Sequence, residues 1–357
     1  MKVALPPPET LLPALQATLY SGMIAEGEQV YRFETAFAGH FGLASLLAMS
    51  SGTAALHAAL VLAGVGPGAE VVTTPMTAEP TNLAILHAGG TPVWADVDPG
   101  DGTLDPGSVR ERITDRTRAL MVVHYAGYPA RMAELLAVAR DAGLPVIEDC
   151  AHALGATYGG APVGSLGQYG VFSFQAIKHL TTVDGGALAL GDPGQLTRAR
   201  AFRWFGMLKG VDRAEVDITA LGYKYNMHNV AATLGLVQLG GIDALLARHV
   251  ANGRFYDAEL ARIPGLAPAA FDPRGRPAYW LYTLLCDDPE DAGRALQARG
   301  VAAAKLHKPN HRHTLFGPMA RELPGLERFY RRLLHIPCGW WVDDESRQRI
   351  VDALRKG

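Results

Sequence analysis

Short apolar runs alternate with longer helical patterns along the first two-thirds of this 357-residue chain. Several of the runs are uniformly apolar, which is typical of strands whose sheet is covered on both faces. The pattern predicts an α/β fold with a largely parallel sheet, and such sheets bind ligands at the carboxyl ends of their strands. The predicted strands are 70–74, 92–96, 119–124, 145–149, 170–174 and 186–189, and the predicted helices are 53–63, 79–88, 130–142 and 193–205.

The chain changes character near residue 240. Residues 234–260 have the pattern of one long helix, and residues 264–277 then contain four prolines and two glycines. A composition shift of this kind, followed by further strand and helix patterns, predicts a second and smaller α+β unit. We therefore expect two domains, residues 1–240 and residues 241–357, as the chain length also suggests.

The charge balance excludes some classes of partner. Lys and Arg number 33 against 35 Asp and Glu, which gives a formal net charge of −2. We expect no nucleic-acid partner and no polybasic membrane contact, because both need a concentrated basic surface. One phosphate group can still be held by a local site that barely alters the net charge.

Targeting and redox signals are weak. The three cysteines are far apart and show no CxxC spacing, so they indicate neither a disulfide framework nor a zinc site, and we expect no metal. The N-terminus has no signal-peptide pattern, and the most apolar run, 54–65, is shorter than the roughly 20 residues of a membrane span. These features favour a cytoplasmic protein.

A group of small polar residues, Ser-Ser-Gly-Thr at 50–53, immediately precedes the apolar helix pattern. Small residues at a helix N-terminus let backbone N–H groups approach an anion, and hydroxyl groups add further donors. Ser and Thr are also good helix caps, so an ordinary N-cap is the alternative interpretation.

A carboxylate, Asp149, ends the apolar run 145–149, and His152 follows three residues later. A carboxylate at the end of a buried strand is costly unless a cation or a hydrogen-bond donor meets it. A helix cap or a loop hydrogen bond is the alternative role for Asp149, and a hydrogen-bonded core side chain is the alternative for His152.

A lysine, Lys178, follows the strand pattern 170–174 in a stretch without other charge until Asp184. Desolvation there would lower the pKa of the amine and expose its nucleophilic neutral form, while a plain surface lysine is the alternative. Together, an anion cup, an acid able to pair with a ring nitrogen and an imine-forming amine match the needs of pyridoxal phosphate (PLP).

An ordered series of motifs runs along nearly the whole chain and resembles the DegT/DnrJ/EryC1/StrS family of sugar aminotransferases. The resemblance implies the fold of type I PLP-dependent transferases, with a large domain built on a mixed, mostly parallel sheet and a small C-terminal α+β domain. The motifs are Ser21-Gly22, Phe33-Glu34, 51–56 (SGTAAL), Pro92-Val93, 96–98 (DVD), 124–127 (HYAG), 148–156 (EDCAHALGA), 172–178 (FSFQAIK) and 222–227 (GYKYNM).

The resemblance also assigns roles. Lys178 is similar to the lysine that forms the Schiff base with PLP and then shuttles a proton, and Asp149 is similar to the partner of the pyridine nitrogen. His152 matches a position beside the cofactor ring. The remaining cofactor contacts are implied to be phosphate contacts at Gly52, Thr53 and Ser173, and at Asn226 reaching in from the neighbouring subunit of a homodimer.

Two positions at which members of the family and its relatives differ bear on the function of this chain. Many members carry an aromatic residue that stacks on the cofactor where this chain has Ala78, so either Met76 or a residue from elsewhere covers that face, or the face is open to a different substrate. The related sugar 3-dehydratases have histidine in place of the lysine; this chain has Lys178, with His179 only as its neighbour, which favours transamination.

The leading hypothesis is an aminotransferase that moves an amino group from an amino acid, with L-glutamate implied, to a keto-sugar that is nucleotide-linked. A keto-cyclitol acceptor and a non-catalytic PLP-binding regulatory protein are the alternatives. A dinucleotide-dependent dehydrogenase is disfavoured because Gly64–Gly68 (GVGPG) does not have the third glycine at the GxGxxG spacing and lacks the preceding strand of that motif. The polar segment 305–313 could contact a diphosphate or be a solvated loop.

Overall fold

The computed structural model describes residues 2–355, and its largest element is a seven-stranded mixed sheet with the order β1-β9-β8-β5-β4-β2-β3. Strands β2, β3, β4, β5 and β8 run parallel, while β9 is antiparallel to both of its neighbours. The described strands are β1 (Leu46–Met49), β2 (Glu70–Thr73), β3 (Thr91–Trp94), β4 (Thr117–Val123), β5 (Val146–Asp149), β6 (Thr157–Tyr158), β7 (Ala161–Pro162), β8 (Tyr169–Ser173), β9 (Gly186–Leu190), β10 (Leu266–Pro268), β11 (Gly275–Arg276), β12 (Tyr282–Cys286) and β13 (Leu333–Ile336).

Helices cover both faces of this sheet, which explains why most of its strands are buried along their whole length. The predicted α/β class with a mixed, mostly parallel sheet is confirmed. The described α-helices are α1 (Pro8–Tyr20), α2 (Glu28–Phe41), α3 (Gly52–Leu62), α4 (Glu79–His87), α5 (Pro106–Arg112), α6 (Met132–Asp141), α7 (Leu196–Arg203), α8 (Asn229–Leu239), α9 (Ile242–Leu260), α10 (Pro289–Gln297), α11 (Pro324–Arg332) and α12 (Asp344–Arg355).

The sequence pattern located six of the seven strands of the large sheet but not β1. Each of the six predicted strands overlaps an observed strand to within two residues at either end. Strand β1 has only four residues, none of them β-branched, and pairs antiparallel with β9 at the edge of the sheet. A run this short carries no usable periodicity.

The single long helix predicted over residues 234–260 is wrong. Helices α8 and α9 meet at Gly240 and Gly241 with a bend of 62°. Two successive glycines in a helix interior carry the highest backbone entropy cost and leave no side chains to pack, so the helix breaks there. Among residues 2–355 no single helix is long and apolar enough to cross a membrane, although this bent pair meets the criteria of length and composition when its two helices are taken together.

A second sheet, of order β10-β12-β13, lies in the C-terminal part of the chain. The two parts share packing, because β11 pairs with β6 and one core cluster joins Trp94 and Tyr125 to Tyr282 and Leu334. The predicted boundary at residue 240 falls at the break between α8 and α9, and the division into two domains stays a prediction.

Candidate active site

The sheet topology brings the ends of β1, β5 and β8 to one edge. Strand β8 is parallel to β5, and β1 is antiparallel to β9, which is itself antiparallel to β8. Gly186 of β9 therefore lies opposite both Ser173 at the end of β8 and Met49 at the end of β1. The three polar features predicted from separate segments consequently meet at a single sheet edge.

The N-terminus of α3 approaches the end of β8 closely. A Cβ atom built on Gly52 would lie 3.0 Å from the Cβ atom of Ser173, and one built on Gly186 would lie 2.4 Å from the backbone nitrogen of Gly52. Ser51 is the N-cap and accepts a hydrogen bond of 3.0 Å from the Ala54 N–H. Glycine at both positions thus allows the first turn of the helix to reach the Ser173 hydroxyl group.

This helix end has the properties of an anion site. Gly52 and Thr53 are the first two residues of α3, and N–H groups at such positions have no intrahelical acceptor. The helix dipole places positive potential there, and the hydroxyl groups of Thr53 and Ser173 add donors. The cap interpretation therefore applies to Ser51, and the remaining donors could hold a phosphate group.

The Asp149 carboxylate is buried, with an exposed fraction of 4%. Its Oδ2 accepts a hydrogen bond of 2.8 Å from the Thr81 hydroxyl group, and its Oδ1 accepts one of 3.1 Å from the Ala151 N–H. A carboxylate offers about four acceptor positions, so Asp149 retains capacity for a further donor. The contact with Thr81 was not expected from sequence, because a threonine in a helix pattern gives no sign of a partner 68 residues away.

Lys178 follows β8 in a turn in which its N–H donates to the carbonyl oxygen of Gln175. Burial lowers the pKa of the Lys178 amine to about 7, although the negative charge of Asp149 acts to raise it. The Nζ atom lies 4.0 Å from the ring centroid of Trp280. A large fraction of this amine is consequently neutral near pH 7, as a nucleophilic amine requires.

The His152 imidazole is stacked with rings from the C-terminal part of the chain. Its centroid lies 3.9 Å from that of Trp280 with an interplanar angle of 11°, and 5.6 Å from that of His307 with an angle of 5°. Burial holds the pKa of His152 well below its usual range, so the ring is neutral. His307 belongs to the polar segment noted in the sequence, whereas nothing in the sequence singled out Trp280.

Asn226 lies beside the helix end within its own chain. It forms an isolated antiparallel bridge with Met49, and the neighbouring Tyr225 carbonyl oxygen accepts from the Ser50 N–H at 2.6 Å. The amide Oδ1 atom of Asn226 is buried and has no hydrogen-bond partner among the described residues. Its contact with a neighbouring subunit stays a prediction.

The segment around Ala78 is covered from the C-terminal part of the chain. Met76 is completely buried in the core cluster that contains Trp94 and Tyr125. Asn310 donates to the carbonyl oxygens of Pro75 and Thr77, at 2.8 and 3.0 Å. Met76 therefore packs into the core, and segment 309–313 is the neighbour of this turn.

A family model described as the DegT/DnrJ/EryC1/StrS aminotransferase family matches residues 8–355. The chain belongs to this family. The resemblance inferred from the motifs is confirmed, and with it a PLP-dependent transaminase of the sugar aminotransferase class.

Several relatives of this DegT-family chain align with it over almost its whole length. SpsC, a spore coat polysaccharide biosynthesis protein of Bacillus subtilis, is 35% identical over 95% of this chain and 92% of its own length. The crystal structure of CalS13, a sugar aminotransferase of Micromonospora echinospora, is similar with a TM-score of 0.96 at 37% identity, covering 100% of this chain and 98% of CalS13. Spr1654 of Streptococcus pneumoniae has been solved in PLP and pyridoxamine phosphate forms; the latter has a TM-score of 0.92 at 25% identity and covers 100% of this chain and 98% of that one.

The residues at the sheet edge fit PLP, the cofactor of the family. The α3 N-terminus with Ser173 could hold its phosphate group, and the buried Asp149 has an acceptor position for a protonated ring nitrogen. Lys178 offers an amine of lowered pKa whose charge interacts with Asp149. The type I fold predicted from the resemblance is likewise confirmed.

Proposed function

We propose that this DegT-family enzyme transfers an amino group from an amino acid, with L-glutamate as the expected donor, to the carbonyl carbon of a nucleotide-linked keto-sugar. In this proposal Lys178 carries PLP as a Schiff base. The proposal rests on one observation. An amine of lowered pKa, a buried carboxylate and a helix N-terminus lie at the same edge of the sheet.

Each side chain then has a distinct task. PLP, when bound, supplies a conjugated ring that stabilises negative charge at the reacting carbon. Asp149 keeps the proton on the ring nitrogen, which strengthens that stabilisation. Lys178, freed by the amino donor, takes and returns the proton of the reacting carbon, a task suited to an amine whose pKa of about 7 lies near the operating pH.

The remaining residues of the proposed site contact the phosphate group and the ring of PLP. Gly52, Thr53 and Ser173 hold the phosphate group, and His152, kept neutral by burial and stacked on Trp280, lies beside the cofactor ring. The names of the relatives support a sugar acceptor, since CalS13 is a sugar aminotransferase and SpsC is a polysaccharide biosynthesis protein.

The cofactor assignment is tested on the purified protein. We expect bound PLP that becomes covalently fixed by borohydride reduction, and the Lys178→Ala variant should lose this fixation. The Lys308→Ala variant, which removes an exposed lysine, is the matched control and should keep it. A wild-type protein that takes up no PLP would refute the proposal.

The acceptor is tested by supplying keto-sugar nucleotides, free keto-sugars and keto-inositols separately, with L-glutamate as donor. We expect turnover with a keto-sugar nucleotide that exceeds turnover with the other two classes. Preference for keto-inositols would instead identify a keto-cyclitol aminotransferase. Tight PLP binding without transfer to any acceptor would favour a regulatory protein.

We further propose a homodimer in which Asn226 contacts the phosphate group of the neighbouring site. The group of large apolar side chains that this monomer leaves exposed supports an interface, since contact with a second subunit would remove apolar surface from water. Its most exposed members are Tyr20 (86%), Met23 (66%), Val183 (65%) and Leu221 (82%).

Subunit mixing tests the role of Asn226. The Lys178→Ala and Asn226→Ala variants should each be impaired, but a mixed dimer of the two contains one site with both residues intact if Asn226 acts across the interface. Mixing should therefore restore activity. If Asn226 acts within its own chain, no mixed site is intact and activity stays low.

A further inference from the structure

A series of hydrogen bonds among buried residues leads from the C-terminal part of the chain to Asp149. The Thr81 hydroxyl group donates to Asp149 at 2.8 Å, and the Thr77 hydroxyl oxygen lies 2.9 Å from that of Thr81. The Thr77 carbonyl oxygen accepts from the side-chain amide of Asn310 at 3.0 Å. The exposed fraction of all four residues is 4% or less, so water does not compete for these bonds.

The donors and acceptors in this series can be assigned by counting protons. The ionised Asp149 carboxylate only accepts, so the single hydroxyl proton of Thr81 is directed to it. The Thr77 hydroxyl group must then donate to Thr81. Hydrogen bonds that act in series in a buried environment strengthen one another, which fixes the Thr81 donor toward Oδ2 of Asp149.

Asn310 holds the segment that carries these threonines. Its backbone N–H donates to the Pro75 carbonyl oxygen at 2.8 Å, and its Oδ1 accepts from the Asn82 side-chain amide at 2.7 Å. With the bond to Thr77, one side chain and its backbone thus contact three positions between residues 75 and 82. All of Asn310 is buried, with an exposed fraction of 0%.

We propose that Thr81 is a positioning residue that orients the Asp149 carboxylate toward the ring nitrogen of PLP, and that Asn310 keeps Thr81 in register. This inference rests on the proposed function, in which Asp149 faces that nitrogen. With Oδ2 bonded to Thr81 and Oδ1 to Ala151, the carboxylate cannot rotate freely about its last bond. Loss of the Thr81 donor leaves it anchored on one oxygen only.

The Thr81→Val variant removes the hydroxyl group with little change of shape. We expect the Kd of PLP to rise and kcat to fall, each about tenfold, as for other partners that orient a ligating group, while KM for the acceptor stays unchanged. The absorbance spectrum of the bound cofactor should shift as well, because the contact with its ring nitrogen changes. Thr81→Ser keeps the donor. It should restore the wild-type absorbance spectrum and bring the Kd of PLP and kcat to within about threefold of their wild-type values.

The matched control is Thr73→Val. Thr73 lies at the end of β2, is completely buried, and its hydroxyl group has no hydrogen-bond partner among residues 2–355. The same substitution there should leave PLP affinity, spectrum and kcat at wild-type values. A wild-type Kd, spectrum and kcat in Thr81→Val would overturn the proposal, whereas an Asp149→Asn variant with wild-type properties would overturn the proposed function instead.

The role of Asn310 is tested with the Asn310→Ala variant, whose PLP Kd and absorbance spectrum are measured well below its unfolding temperature. We expect the same rise in PLP Kd and the same spectral shift as in Thr81→Val, but smaller. If Asn310→Ala fails to fold, Asn82→Ala removes the donor to Asn310 Oδ1, together with the bond of Asn82 to the Thr74 carbonyl oxygen, and leaves the bonds of Asn310 to Pro75 and Thr77 in place. A folded variant of either kind with lowered stability but wild-type Kd and spectrum would show that Asn310 only holds the two parts together.

Discussion

Two adjacent carboxylates on β5, Glu148 and Asp149, face opposite sides of the sheet and meet different surroundings. Glu148 is completely buried and accepts four hydrogen bonds, which use all of its acceptor positions. The donors are the N–H groups of Gly164 (2.9 Å), Leu166 (2.8 Å) and Gly167 (2.6 Å) and the His124 Nε2 atom (3.1 Å). Asp149 accepts two and keeps room for a ligand.

The Glu148 side also contains a cluster that resembles a metal site by distance alone. Ligand atoms of His124, Glu148 and Cys150 lie within 4.8 Å of one another. The Ala130 N–H donates to His124 Nδ1 at 3.1 Å, so the proton of the neutral ring is on Nε2 and is given to Glu148. Hydrogen bonds therefore already occupy the atoms a metal would need. The bonds of Glu148 therefore stabilise the fold, whereas Asp149 keeps the free acceptor capacity that its proposed role requires.

The largest expected effect is at Asp149. The Asp149→Asn variant should fold normally but lose about 10²–10³-fold in kcat, because the charge that keeps the ring nitrogen protonated is gone. Steady-state kinetics with matched PLP occupancy, together with thermal unfolding, would measure both properties. Near-normal turnover would contradict the role of Asp149.

Substitution of Glu148, the neighbouring carboxylate, should lower the stability of the protein but leave its turnover nearly unchanged. Glu148→Ala leaves three N–H groups, two of them buried, and the buried His124 ring without an acceptor, so we expect the free energy of unfolding to fall by about 3 kcal/mol or more. Turnover per folded molecule should stay within about threefold of wild type. Denaturant unfolding and active-site titration separate the two quantities, and loss of turnover without loss of stability would place Glu148 in the site instead.

The pH dependence of PLP uptake tests the environment of Lys178. The neutral amine reacts, and burial lowers its pKa to about 7, so the rate of uptake by the apoenzyme should rise as pH increases through about 7. Because Asp149 acts to raise this pKa, Asp149→Asn should move the midpoint to lower pH, and Glu148→Ala should leave it in place. A midpoint near 10 in the wild-type protein would show an exposed amine.

The sequence was sufficient to place Asp149 and Lys178 at one edge of the sheet, because one ends and the other follows an apolar strand pattern and parallel strands end at the same edge. Ser173 was assigned by the resemblance to the family alone. Strand β1 was not foreseen, since a four-residue edge strand carries no usable periodicity. The bend at Gly240 follows from two successive glycines, a local signal that the apolar periodicity does not contain. The partners Thr81 and Trp280 could not be predicted either. Their contacts are set by tertiary packing between segments 68 and 102 or more residues apart.

The smallest expected effect concerns Ala78, which stands where many family members have an aromatic residue. Ala78 is partly exposed and is the N-cap residue of α4, in the segment that supplies Thr81 to Asp149, so we expect a ring added there to act on the Asp149 side of β5. Stacking of aromatic rings is worth about 0.5–1.5 kcal/mol, and Ala78→Phe should therefore lower the Kd of PLP by about two- to tenfold without changing the stability of the apoenzyme. The Kd is measured by fluorescence titration, with Glu148→Ala as a background in which the same gain should appear. An unchanged or higher Kd would mean that another group already covers this face of the cofactor. Segment 309–313, which lies against the same turn, would then be the candidate for that group.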